Sequence, residues 1–384
     1  MTNALWRWAA TVALCLAAVS VRAAEPAAVD PRREAIPLGG DFTPDPQVPT
    51  LVAVGHGARI VTSQDDGRTW KQTFFGAPGS DHGAWATKSV AYDAGMFVVA
   101  VGWGGPTMWL ASDDGANWRH LTAGKSTPAS KTDPREMPGT WKVTGGGGTF
   151  VGTGYMTMTA TPDRGQSFST FQLWGFNRES RPRKLVTHHV GAVYCGDTSR
   201  RFLALGNDRS PDNPVFGNLF VSDDLGKTWT WREPELLKER CQGYTGMVAT
   251  DRLVVIADAE GANVFCSADA GETWTGPFPT GTTRATLNLV GDEFWLTGKT
   301  SRASADGRTW RDLPAAVPAG KLIATEQGTL LNIDAKRFTI LRSADRGTSW
   351  QEVFRFEPET DGLHGAQGLR DLAFGRVKRM ATAD

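Results

Sequence analysis

The sequence predicts an all-β, seven-bladed β-propeller whose ring is closed by a C-terminal strand. The first observation is a recurring motif, S-x-D-x-G-x-T-W, at 63–70, 222–229 and 267–274. Looser copies lie at 111–118, 161–168, 303–310 and 343–350, which makes seven copies. The second observation is that a strand–turn–strand pattern precedes the later copies. Repeats of this spacing are typical of four-stranded propeller blades.

Each copy of the motif has a local mechanism. The Asp accepts hydrogen bonds from backbone N–H groups, and the Gly takes a backbone conformation that other residues avoid. The Trp then begins the next strand and packs under the turn. The motif resembles the Asp box, or BNR repeat, of sialidases and many other β-propellers. The resemblance implies turns between the third and fourth strands of each blade, away from the ligand, so we interpret all seven as fold elements.

One copy departs from the pattern. The segment 303–310 (ASADGRTW) carries Ala305 where the motif has its Asp. We therefore expect this turn to be degenerate.

The second repeat serves as the template for a blade. It has an inner strand at 86–92, a turn at 93–95, a second strand at 96–102, a third at 107–111, and then the motif. The first unit begins at 50–55, which matches the template's second strand, so its inner strand is missing. Residues 364–375 resemble the template's inner strand with its lead-in, 82–92. We expect the C-terminal strand to complete blade 1, because a closed ring leaves no open sheet edge.

Composition sets limits on location and partners. The 384 residues fit one propeller, and 41 basic side chains balance 41 acidic ones, so nothing indicates nucleic acid or an anionic membrane surface as a partner. Arg7, an apolar run at 8–19 and small residues at 21–24 predict a signal peptide over 1–24. Residues 25–48 are then a linker or arm, and 49–384 the propeller. We expect a secreted or periplasmic monomer with no membrane span in the mature chain.

Three cysteines remain after the predicted cleavage: Cys195, Cys241 and Cys266. An odd number leaves at least one without a partner within the chain. Two interpretations stay open. In the first, the cysteines are buried and behave as small apolar side chains. In the second, two of them form a disulfide within blades 4 and 5. No two are at metal-ligand spacing, and no cofactor is indicated.

In propellers the ligand lies at one end of the central channel, among the residues that lead into the inner strands and the loops between second and third strands. The candidate catalytic residues there are His82, His189, Tyr244 and Arg284. The candidate ligand-binding residues are Asp81, Trp103, Trp141, His188 and His364. The same segments also contain His56, Lys142, Asn207, Asp208, Gln242 and Lys321.

These residue types suggest glycan chemistry. Neutral imidazoles transfer protons, and Trp rings stack on sugar faces. In a polysaccharide lyase, Tyr244 or His189 would transfer the proton and Arg284 would neutralise a uronate carboxylate. The alternative is that the His side chains bond to backbone groups and fix the strand entries.

Comparison with sialidases argues against that activity. The resemblance implies three arginines, an R-I-P motif and a Tyr nucleophile, but no R-I-P occurs and only Tyr244 of four Tyr lies near the expected site. The sequence leaves open whether the chain is an enzyme; a glycoside hydrolase or polysaccharide lyase would fit.

Two functions therefore remain. The first is an exported protein that binds, and in one version cleaves, a glycan at the channel mouth. The second is a non-catalytic scaffold that binds a protein, similar to the Asp-box propellers that assist photosystem II assembly. The basic loop at 178–184 favours the second.

Overall fold

The structure, a computed structural model, describes eleven segments of the chain. They are 47–76, 87–102, 107–121, 140–154, 157–172, 187–196, 198–208, 215–240, 246–334, 338–356 and 368–380. All of them belong to one compact unit, Ala35–Asp384. The predicted signal peptide, and the predicted arm up to residue 46, lie outside the described residues.

Within the described segments the chain forms seven four-stranded antiparallel sheets, so the predicted all-β, seven-bladed propeller is confirmed. Blade 1 contains β1 (Val48–Gly55), β2 (Arg59–Ser63), β3 (Lys71–Phe74) and β28 (Leu369–Val377). Blade 2 contains β4 (Thr87–Asp93), β5 (Met96–Val101), β6 (Met108–Ser112) and β7 (Arg119–His120). Blade 3 contains β8 (Thr140–Gly146), β9 (Thr149–Gly154), β10 (Thr157–Thr161) and β11 (Ser169–Gln172).

The remaining blades repeat this order from the inner strand outward. Blade 4 contains β12 (Thr187–Cys195), β13 (Arg201–Asp208), β14 (Val215–Ser222) and β15 (Thr230–Arg232). Blade 5 contains β16 (Gly246–Ala249), β17 (Val254–Ala257), β18 (Asn263–Ser267) and β19 (Thr275–Pro279). Blade 6 contains β20 (Thr286–Val290), β21 (Glu293–Thr297), β22 (Arg302–Ser304) and β23 (Arg311–Asp312). Blade 7 contains β24 (Lys321–Ala324), β25 (Leu330–Ile333), β26 (Thr339–Ser343) and β27 (Gln351–Arg355).

The predicted closure of the ring is confirmed. Strand β28 pairs antiparallel with β1, from Val48 opposite Val377 to Gly55 opposite Leu369. The C-terminal strand is thus the inner strand of blade 1. A further link joins blade 7 to blade 1, where Arg342 donates to the Asp66 carbonyl over 2.8 Å and to its carboxylate over 2.5 Å.

The core lies between neighbouring blades. In one cluster Val52 and Ile60 of blade 1 pack with Phe97, Val99 and Leu110 of blade 2, and all five are fully buried. Burying side chains of this size stabilises the fold by about 1.5–3 kcal/mol each. Because the blades are covered on both faces in this way, the second strands are mostly apolar rather than alternating.

The motif turns adopt the expected Asp-box geometry. In the first, the Ser63 hydroxyl donates to Asp65 over 2.7 Å and accepts the Gly67 N–H over 3.0 Å. The same carboxylate accepts the N–H and the hydroxyl of Thr69 at 2.9 and 2.6 Å. The Trp70 indole donates to the Gly67 carbonyl over 3.1 Å. The motif therefore ties its own turn together without a ligand.

The expectation of a degenerate turn in blade 6 was wrong. Ser304 donates to Asp306 over 3.0 Å, and Asp306 accepts the Thr309 N–H over 2.8 Å, so Asp306 performs the role that alignment gave to Ala305. The turn is one residue shorter, with Gly307 directly after the Asp. Blade 2 has the same short form, in which Ser112 donates to Asp114 over 2.9 Å.

One element was not expected from the sequence. A six-residue helix, α1 (Glu235–Arg240), follows β15, and its Leu237 is buried in the core between blades 4 and 5. No helix in the described part of the chain is long and apolar enough to cross a bilayer.

The two described cysteines fit the first of the two interpretations. Cys195 and Cys266 are buried and neither forms a disulfide. Burial raises the pKa of each thiol to about 12, so both behave as small apolar side chains. Cys241 lies outside the described residues.

Candidate ligand site in the central channel

The register of the sheets defines a layer of equivalent positions across the channel. In each blade, the Ser or Thr that begins the Asp-box hydrogen bonds pairs with one residue of the second strand. Counting three residues further along the second strand gives the residue that pairs with the channel-layer position of the inner strand. In blade 2, for example, Ser112 is opposite Phe97, and Ser89 is opposite Ala100. The seven positions, here called the channel layer, are Asp371, Ser89, Lys142, Gly191, Gly246, Thr286 and Lys321, from blade 1 to blade 7.

The chemistry of the channel layer is uneven. Lys321, Asp371, Ser89 and Lys142 follow one another around blades 7, 1, 2 and 3. Blades 4, 5 and 6 contribute two glycines and Thr286. One side of the layer is therefore polar and charged, and the other is made of small residues.

Asp371 is the hub of the charged side. Its carboxylate accepts the Ser89 hydroxyl over 3.0 Å, the Val90 N–H over 3.1 Å and the Leu372 N–H over 2.9 Å. The Lys321 ammonium lies 3.3 Å away. These four donors occupy both carboxylate oxygens, so Asp371 is fully used in joining blades 7, 1 and 2.

Lys142 differs from Lys321 because no hydrogen bond or ion pair holds its ammonium in the described part of the chain. The side chain faces the channel and is accessible to solvent, yet protein surrounds it. Desolvation is the main cause that lowers the pKa of Lys142; the Asp371 charge raises this pKa and the Lys321 charge lowers it further. A Cβ built on Gly191 would lie 3.5 Å from the Lys142 Nζ, so the side chain extends towards the small-residue side.

Two of the predicted site residues have described side chains. Arg284 is exposed just before β20, with a left-handed φ of 52°. Trp141 is only 9% exposed, and the Lys88 Nζ lies 5.2 Å from the centroid of its ring. Little of the indole is open to a sugar in this arrangement.

The other predicted site residues are less fully described. His188 and His189 lie in β12, where His188 is opposite Asn207, but their side chains are outside the described set. The residues wholly outside it are Asp81, His82, Trp103, Tyr244 and His364. The roles proposed for all nine residues remain predictions.

His56 lies in a single 3-10 turn, His56–Ala58, at the same end of blade 1. Its Nε2 accepts a hydrogen bond from the Arg370 Nε over 2.8 Å, and the side chain is buried. A ring nitrogen that accepts from a guanidinium carries no proton, so this contact favours a neutral imidazole. This histidine orients Arg370, the residue before Asp371.

The inner strands carry an excess of positive charge near the end where they begin. In the described part of these half-strands the cationic residues are Lys88, Lys142, Lys321 and Arg370, and the acidic residue is Asp371, which pairs with Lys321. Arg284 adds a further cation beside β20. The chain as a whole has zero net charge, so this concentration is local.

A shallow cavity of about 340 Å³ lies at the opposite end, beside the Asp box of blade 5. Arg201 on its wall is paired with Asp223 over 2.5 Å and with Glu272, which also pairs with Arg232. These charges compensate each other and join blades 4 and 5. We therefore interpret the residues of this cavity as structural and not as a ligand site. Within the described segments no group of three or more His, Cys, Asp or Glu is arranged to hold a metal ion.

No protein-family model matches this sequence, and no curated protein matches it. Solved structures share the fold. A protein from Lactobacillus plantarum is 12% identical with a TM-score of 0.53, over 85% of this chain and 99% of that chain. YCF48 from Cyanidioschyzon merolae is 14% identical with a TM-score of 0.45, over 82% and 98%.

The GH74 enzyme of Niastella koreensis is 16% identical with a TM-score of 0.36, over 77% of this chain and 61% of that chain. Identities this low show the propeller fold alone and assign the chain to no family.

Proposed function

We propose that this protein is an exported propeller that binds an acidic glycan at the end of the central channel where the inner strands begin. The observation that carries the proposal is the excess of cations over carboxylates on the described inner strands at this end, in a chain of zero net charge. Inner strands whose cations outnumber their carboxylates attract anionic ligands. The predicted signal peptide supports export, and acidic polysaccharides occur outside the cell.

The position of Arg284 supports the same ligand class. It is exposed and no hydrogen bond or ion pair holds its guanidinium in the described part of the chain. A guanidinium binds a carboxylate through two parallel hydrogen bonds, so a uronate is a well-matched ligand. Cleavage of the glycan is a further proposal. In it Tyr244 or His189 transfers the proton, and Arg284 neutralises the carboxylate.

The test is direct binding of a polyuronate to the mature protein, with a neutral glucan as the control ligand. We expect saturable binding to the polyuronate that weakens as salt increases, and none to the glucan. Replacing Arg284 with Met should weaken binding about tenfold, the effect of losing one charge-assisted contact.

A matched variant separates a site effect from a general loss of charge. Arg346 is also exposed and has a left-handed φ of 58°, but it lies in the Asp box of blade 7 at the other end. Arg346→Met should bind the polyuronate as the parent protein does. Equal weakening by both substitutions would refute a site at this end of the channel.

The second candidate function is a scaffold for a protein partner with an acidic segment, because the same cation excess would attract it. A specific protein partner, recovered together with inactivity towards all glycans, would favour this function over the first.

A further inference from the structure

Among the described residues, one charge of the channel layer has no partner. Lys321 and Asp371 compensate each other, and the Asp371 oxygens already accept from Ser89, Val90 and Leu372. Lys142 therefore leaves the described part of this layer with a net positive charge, carried by a side chain that solvent can reach. A solvent-accessible ammonium with no protein acceptor can form a charge-assisted hydrogen bond with an external anion.

The layer positions on the side of that ammonium carry small residues. Lys142 extends towards Gly191, and the next two positions are Gly246 and Thr286. None of these three side chains is acidic or large. An anion on this side would contact Lys142 directly, and Lys321 adds attraction from across the layer. Asp371 does not compete with the anion for Lys142, because its oxygens already accept from four donors.

We propose that Lys142 forms an oxyanion site in the channel layer and binds the carboxylate of a sugar acid. The inference rests on the proposed function, because it names the atom that receives the acidic group of the glycan. The site binds one carboxylate by a charge-assisted hydrogen bond, and no covalent step is involved.

D-glucuronate and D-glucose are the probes, since they differ only in a carboxylate against a hydroxymethyl group. The readout is the Nζ resonance of Lys142 in protein labelled with ¹⁵N-lysine, identified as the signal absent from Lys142→Met. Glucuronate should shift this resonance saturably and raise the pKa of Lys142, because a bound anion stabilises the ammonium. Glucose should do neither. An unchanged Lys142 resonance at saturating glucuronate would overturn the proposal.

Three variants should change glucuronate binding in different directions. Lys142→Met should weaken glucuronate binding about tenfold or more, whereas Lys142→Arg should retain it. Asp371→Asn should strengthen binding, because it removes the only carboxylate of the layer while its carbonyl still accepts hydrogen bonds. The exposed Lys227, in the Asp box of blade 4, is the control, and Lys227→Met should bind as the parent does.

Thermal melts of each variant show whether the fold is retained, and the Arg and Asn variants test the proposal even where the Met variant folds poorly. Weaker binding by Asp371→Asn in a folded protein would overturn it. The two proposals also fail differently. Polyuronate binding that depends on Arg284 but not on Lys142 would refute the oxyanion site alone. Absence of any polyuronate binding would refute the proposed function.

Discussion

The Asp-box carboxylates show how far single residues are predictable. The sequence identifies Asp65, Asp224 and Asp269 by spacing alone, and the structure places each in the predicted turn. The same spacing fails at Asp306, since the turn has lost a residue while its Ser, Asp and Gly chemistry is retained. Counting positions cannot detect such a deletion, whereas asking which Asp has a Ser two residues before it would have found it.

Asp345 leads to a prediction about pH. The hydroxyl and N–H of Ser349, with the Ser343 hydroxyl, lower the pKa of this carboxyl to about 2 from its ordinary 3.8. Because the folded pKa is the lower one, the carboxylate stabilises the fold fully above pH 3.8, and this contribution is lost as pH falls towards 2. We expect Asp345→Asn to lower the unfolding free energy at pH 6 and to differ much less from the parent at pH 2.5.

Urea unfolding of both proteins at the two pH values measures this difference. Replacing Ser349 with Ala should move the Asp345 pKa back towards 3.8, which a carboxyl NMR titration detects. A stability difference that stays constant between pH 6 and 2.5 would contradict the hydrogen-bond explanation.

At the scale of elements, each Asp-box turn also fits against the preceding blade. Gly226 in blade 4 has φ +82°, and a Cβ there would lie 2.8 Å from the Ala160 Cβ and 2.9 Å from the Val151 Cγ2 of blade 3. Contacts this short require neighbouring side chains to move. The Gly of the motif is thus required by the packing of blades as well as by the turn.

A pair of substitutions separates these two causes. Gly148 has φ +81° but nothing within 4 Å of its built Cβ. Gly148→Ala should lower the unfolding free energy by about 1–2 kcal/mol, the cost of the left-handed conformation. Gly226→Ala should cost about 1–3 kcal/mol more, because it also overpacks the interface between blades. Equal costs in urea unfolding would show that the interface accommodates the extra methyl group.

Elements without a repeating signal were harder to predict. Among the described side chains of α1, Leu237 is buried and fills the core between two blades. This is a tertiary contact that no local pattern shows. The strands, by contrast, repeat the same apolar second strand and turn in blade after blade.

At the scale of the molecule, the sequence predicted the ring but not the interior of its channel. The similarity of 364–375 to 82–92 was enough to place β28 beside β1. It also put Asp371 at the position of Ser89, but the role of that pair depends on the register of all seven inner strands. Lys142 and Lys321 were recognised only as residues near the channel mouth, since sequence does not show which charges compensate each other.

The last prediction concerns the closure of the ring. Strand β28 supplies the inner strand of blade 1, and it also holds its neighbours. Asp371 bonds to blade 2 and to Lys321 of blade 7, the Tyr92 hydroxyl donates to the Arg376 carbonyl over 2.7 Å, and Arg376 pairs with Glu326. Deleting 364–384 therefore exposes the edge of β1 and removes contacts to both adjacent blades.

We expect that deletion to abolish cooperative unfolding, because β1 loses its partner and the cores beside blade 1 lose one wall. The matched control deletes only 381–384 and keeps β28 whole, so it should melt like the full chain. Circular dichroism melts and size-exclusion chromatography compare the three proteins. A 364–384 deletion that melted cooperatively at the parent temperature would mean that β1–β3 and the other six blades hold the ring without its closing strand.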